Sequence, residues 1–234
     1  MFQISLDHPD ILALQEAGRL VKFKKGEIII RPYDNVKSIF VIISGLVKSY
    51  TINKNGEEFT RIMYRENEIF PLSWIADRAR NDVFYGAVSD CQIYLVPRDA
   101  FVEKLKTSVD VTYATLHKVI EQYTVLVSRI DNLEYKYARE RLAFRLLLLA
   151  ARFGEKQPDG SIVLPTLSQQ DLGSTINLTR ESVSRELARF ERLGVLKTEK
   201  GKIIVLKTDG LSKELGGNLP ESFGQDLKPE PTQP

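Results

Sequence analysis

Arg180, Glu181 and Arg185 stand within six positions of one another and combine the two side-chain types that read base edges in duplex DNA. A guanidinium can donate two hydrogen bonds to guanine O6 and N7, and a carboxylate can accept from the cytosine amino group. Phosphates repel that same carboxylate, so on a DNA-facing surface it points to base reading rather than to backbone neutralisation. In isolation, Glu181 and Arg185 also suit a solvated helix, as an i, i+4 ion pair with Glu181 at the favourable end of the helix dipole. The neighbouring residues weigh against that simpler reading.

Ser168-Gln169-Gln170-Asp171 has the S-x-x-D form of a helix N-cap, and Thr179 is placed to cap a second helix. The pattern predicts a short helix from Ser168 through Leu172 to about Thr175, a turn at Asn177 and a second helix after Thr179. Two short helices joined in this way form a helix-turn-helix. On the second helix Val183, Leu187 and Phe190 fall at i, i+4 and i+7 and make the buried side. Glu181, Arg185, Ala188 and Arg192 face the other way, with Ser184 beside them and Arg180 in the exposed first turn. Downstream, residues 195–199 and 202–206 flank Lys200-Gly201, a two-residue hairpin signal. They make a wing whose Lys197, Lys200 and Lys202 suit phosphate contacts, and Ser168, Gln169, Thr179, Ser182 and Ser184 are expected on the DNA backbone as well.

Net charge is only +2, but residues 138–206 hold twelve Lys and Arg against eight Asp and Glu. Basic character is therefore concentrated in the C-terminal third. A length of 234 residues favours two domains. The first residues carry no basic leader, and no apolar run reaches membrane-spanning length, so the cytoplasm is the expected location and no membrane partner is expected. The single cysteine, Cys91, excludes an internal disulfide and an all-cysteine metal or iron-sulfur site, and reads as a small core hydrophobe. His8 and His117 form no ligand pair, and no Ser-His-Asp, Cys-His or phosphate-loop arrangement occurs. Neither an enzyme nor a metal or other cofactor is expected.

The elements behind these residues are of two kinds. Residues 21–96 read as short β-runs at 21–23, 27–30, 39–43, 46–51, 59–64 and 92–96, separated by turn residues such as Lys25-Gly26 and Ser44-Gly45. That pattern implies a sandwich, barrel or jelly roll. Leu116, Val119, Tyr123, Leu126, Ile130, Leu133 and Tyr137 then alternate spacings of three and four, the apolar seam of a coiled coil. Such a stripe can pack on its own β-domain, but strict spacing favours pairing with a second copy, hence a homodimer. After a charged hinge near 137–139, the apolar run 142–151 founds a second core. The expected fold is α+β: a β-roll over 1–108, a dimerisation helix over 109–137, a winged helix-turn-helix domain over 138–215 and a disordered tail over 216–234.

The segment 167–196, centred on Thr179-Arg180-Glu181-Ser182-Val183-Ser184-Arg185, resembles the recognition region of the Crp/Fnr family of transcription regulators. The resemblance extends to Lys25-Gly26-Glu27 and Ser44-Gly45, which are similar to the cyclic-nucleotide-binding β-roll, and to the heptad helix. It implies that Arg180, Glu181 and Arg185 read a TGTGA-like half-site in a palindrome, with RNA polymerase as a partner if the protein activates. The chain departs from the family's cyclic nucleotide pattern. Pro71-Leu72 stand where a Gly-Glu pair is expected, and Asn81-Asp82 where an Arg-Ser pair is expected. Losing that Arg removes the charge-assisted bonds to a cyclic phosphate and argues against cAMP. Pro71, Leu72, Trp74, Arg78 and Arg80 remain as lining for a different, unidentified effector. A cupin-type metalloenzyme and a signalling cyclic-nucleotide module are the competing classes; the first lacks ligands, and the second has no use for a helix-turn-helix.

Overall fold

The computed structural model describes residues 9–76 and 82–216. Arg78 and Arg80, His8, and all of the expected tail after Gly216 lie outside the described residues. Contacts group the chain into two compact units, Met1–Leu126 and Val127–Pro234.

The first unit is built on two four-stranded antiparallel sheets. One contains β1 (Arg19–Phe23), β8 (Cys91–Pro97), β3 (Ser38–Ser44) and β6 (Ile69–Phe70) in that order. The other runs β2 (Ile28–Ile30), β7 (Phe84–Ala87), β4 (Val47–Ile52), β5 (Glu58–Tyr64). All six β-runs read from the sequence are strands; β6 and β7 are additional. The turn at Ser44-Gly45 needs its glycine twice over. Its φ is 96°, and a Cβ there would stand 2.3 Å from the Asp90 carbonyl oxygen. Cys91 packs in the core, with burial pushing its thiol pKa up, as the reading of a small core hydrophobe requires.

Between the sheets the core is aromatic. The fully buried Phe70 ring lies 5.2 Å from Phe40, 5.0 Å from Tyr85 and 5.4 Å from Tyr64. Tyr64 and Tyr85 hydrogen-bond to each other, and burial lifts the Tyr85 hydroxyl pKa to about 12. Helices α1 (Pro9–Glu16) and α2 (Arg98–Thr107) complete the unit. Lys104 and Ser108 both bind the Asp10 carboxylate, at 2.8 and 2.6 Å.

Helix α3 (Val109–Glu134) crosses the division between the units. Val111, Gln122, Val125, Ser128 and Asn132 form its buried side. Leu116, Val119, Tyr123, Leu126, Ile130 and Leu133 are all exposed, Tyr123 by 66% and Ile130 by 62%.

In the second unit the end of α3 is tied to α4 (Ala138–Phe153) across a three-residue linker. Asn132 Nδ2 donates to the Arg141 carbonyl at 3.1 Å, and Arg141 Nε donates to the Tyr135 carbonyl at 2.9 Å. The apolar run of α4 is buried almost all round, with Leu142, Leu146 and Leu147 fully enclosed. A four-stranded sheet in the order β11 (Leu196–Glu199), β12 (Lys202–Val205), β10 (Ile162–Val163), β9 (Glu155–Lys156) lies in this unit with α5 (Gln169–Ile176), α6 (Arg180–Arg192) and α7 (Thr208–Glu214).

Candidate nucleic-acid interface

Each end of the helix pair is fixed by a local device. Ser168 Oγ accepts from the Asp171 backbone N–H at 3.0 Å and donates to the Asp171 carboxylate at 2.6 Å. Helix α5 ends on Asn177, whose φ of 55° and ψ of 47° are left-handed, a conformation that asparagine tolerates better than most residues. Thr179 Oγ1 then accepts from the Ser182 backbone N–H at 3.2 Å and starts α6. The turn is tight because Gly173 allows it: a Cβ at this position would sit 2.4 Å from the Leu178 carbonyl oxygen.

Val183, Leu187 and Phe190 are buried, as their i, i+4, i+7 spacing predicts. Arg180, Glu181, Ser184, Arg185, Ala188 and Arg192 are exposed, so one face of a capped helix presents two candidate base-reading guanidiniums and a carboxylate together. The Glu181 carboxyl pKa is held below its ordinary value, first by backbone N–H donation at the helix start, then by the Thr179 hydroxyl and the Arg180 charge. Arg185 Nη2 lies 3.4 Å from Ser182 Oγ, a partner different from the Glu181 carboxylate that an i, i+4 ion pair would supply.

Strands β11 and β12 form the wing, closed by the Glu199↔Lys202 pair. Lys200 (φ 49°) and Gly201 (φ 77°) occupy the two left-handed positions that a type I′ turn requires. Lys200 and Lys202 are exposed, whereas Lys197 is held 2.9 Å from Glu199 in a surface ion pair. Of the expected backbone-contacting residues, Ser184 and Thr179 are exposed, Ser182 and Gln169 are half-buried, and the Ser168 hydroxyl is engaged in its cap.

The effector-side residues are placed differently. Pro71 and Trp74 are buried and Leu72 is half-buried, around a short 3-10 turn (Leu72–Trp74). Arg98 holds that turn, its Nε donating to the Trp74 carbonyl at 2.6 Å.

Residues 140–214 match the family described as the Crp-like helix-turn-helix domain, and residues 20–108 match the cyclic nucleotide-binding domain. The chain belongs to the Crp/Fnr family. Its curated relatives include the global nitrogen regulator of Synechococcus elongatus, 27% identical over 84% of this chain and 89% of that protein. Electron transport regulator A of Shewanella oneidensis is 29% identical over 83% of this chain and 77% of that protein. Among solved structures, a CooA variant from Carboxydothermus hydrogenoformans aligns with a TM-score of 0.75 at 22% identity, covering 89% of this chain and 92% of that one. FixK2 from Bradyrhizobium japonicum aligns with a TM-score of 0.72 at 22% identity, covering 84% and 96%. Membership of the Crp/Fnr family makes this chain a DNA-binding transcription regulator, with a β-rich N-terminal domain, a long helix and a C-terminal helix-turn-helix. Among the described residues, no helix is long and apolar enough to cross a membrane.

Three sets of residues were not evident in the sequence. Gly173 had a signal, since an isolated glycine inside a helical pattern commonly marks close packing. The β9–β10 hairpin also had one, the turn signal Pro158-Asp159-Gly160. The bridge from Glu214 to Arg189 and Arg139 joins residues far apart in the chain and had none.

Proposed function

We propose that this regulator binds a palindromic DNA site as a homodimer, each copy reading a TGTGA-like half-site with Arg180, Glu181 and Arg185. The observation that carries the reading is the outer face of α6, where the three side chains stand exposed on one rigid, capped helix. Lys200, Lys202, Thr179, Ser182, Ser184 and the first turn of α5 at Ser168 and Gln169 serve the phosphate backbone. Two-fold symmetry is supplied by α3, whose exposed stripe from Leu116 to Leu133, continued by Tyr137, pairs with the same stripe of a second copy. The first unit acts without cAMP, because Pro71-Leu72 and Asn81-Asp82 replace the residues that would hold its ribose and phosphate. The protein works in the cytoplasm, and if it activates, RNA polymerase is its further partner.

Selection of bound duplexes from random DNA, with and without cAMP, tests this reading. The expected outcome is an inverted repeat with TGTGA-like half-sites, unchanged by cAMP. Recovery of unrelated sequences, or enrichment only with cAMP present, would contradict it.

A further inference from the structure

The carboxylate of Glu214, at the last position of α7, stands between two arginines from different helices. Its Oε1 accepts from Arg189 Nη2 at 2.9 Å, and its Oε2 lies 3.5 Å from Arg139 Nε. Arg189 belongs to the last turn of the recognition helix α6, one residue before the buried Phe190. Arg139 belongs to the first turn of α4, two residues after Tyr137, and its guanidinium lies over the Tyr137 ring at 4.5 Å. Tyr137 is itself fixed, its backbone N–H donating to Glu140 at 3.1 Å. The carboxylate therefore joins the end of the recognition helix to the linker that follows α3.

Glu214 is well placed for this role. It is only 15% exposed, and α7 is seated firmly: Leu211 is fully buried, and a Cβ on Gly210 would come within 2.7 Å of Val195. Arg189 Nη1 is buried without a hydrogen-bond partner among the described residues, so the Glu214 carboxylate carries much of what holds that guanidinium. Without it, Arg139 keeps the Glu140 carboxylate at 3.8 Å, whereas Arg189 loses the carboxylate that holds it. The base-reading end of α6 lies nine residues away, about 14 Å along the helix, so a small tilt at Arg189 displaces Arg180 and Glu181 by more than it displaces the pivot.

We infer that Glu214 is a positioning residue for DNA reading, holding α6 in its base-reading orientation through Arg189 and Arg139. This rests on the assignment of α6 as the reader. Its role is to set discrimination between sites rather than affinity for DNA as such.

The test uses the full-length protein, a duplex recovered by wild type from random DNA, single-base-pair variants of that duplex and an unrelated duplex. Glu214→Gln keeps the shape and removes the charge. Discrimination between the recovered duplex and its variants should fall roughly five- to tenfold. Affinity for the unrelated duplex should hold or rise, because the DNA-binding unit gains one positive charge. A protein merely loosened would lose both. Arg189→Gln should give the same loss of discrimination, and the double variant should be no worse than the worse single one. Full discrimination in either folded single variant, or additive losses in the double, would overturn the inference. Arg185→Ala run in parallel separates the two assignments: if it leaves discrimination intact, the reading of α6 has failed, whatever Glu214 does.

Discussion

On the proposed reading surface Glu181 sets a carboxylate beside guanidiniums in the first turn of α6, a costly choice wherever phosphates are met. The helix N-terminus lowers its pKa, so it stays ionised and acts as an acceptor only. Direct reading then makes separable demands on each neighbour. Arg180→Ala and Arg185→Ala should each cost about 1 to 3 kcal/mol on the cognate duplex and relax preference at one base pair. Lys200→Ala, on the wing, should weaken all sequences alike. Titrations against the cognate duplex and its point variants distinguish these patterns, and a uniform loss from all three variants would remove base reading from the account. These residues were legible in the sequence because the caps that hold them are local: Thr179 precedes Arg180 directly. Glu214 was not, since an ion pair closing over 25 positions leaves no periodic trace.

The starts of α5 and α6 were legible to the residue, because each begins with a hydroxyl cap; α5 ends on the left-handed Asn177, and α6 ends just before the left-handed Gly194. Strands β6 and β9 were not: two-residue strands are defined by their partners rather than by their own pattern. The contact that closes the helix-turn-helix is local, between Gly173 and Leu178. Gly173→Ala places a methyl against the Leu178 carbonyl, so thermal unfolding of the DNA-binding unit should show a loss of about 1 to 3 kcal/mol, with weaker DNA binding at temperatures where the variant is still folded. Unchanged unfolding would mean that the turn can open without penalty.

For the whole molecule, the heptad spacing predicts the stripe on α3, and its residues from Leu116 to Leu133 are exposed. Replacing Leu126 and Ile130 together by Asp should yield a monomer in sedimentation, because two carboxylates per copy would enter an apolar seam. A persistent dimer would place the interface elsewhere. The division of the chain was less legible. Charge and apolar runs suggested a break near residue 137, whereas contacts group the last turns of α3 with α4, through Asn132 and Arg141. The interior of the β-roll was least legible, since the stacking of Phe40, Phe70 and Tyr85 depends on how the two sheets meet. One buried side chain in this unit has an optical consequence. Trp74 is the sole tryptophan of the chain, and the DNA-binding unit contains none. Indole fluorescence therefore reports on the β-rich unit alone, and the helix-turn-helix unit can bind DNA without an indole signal of its own.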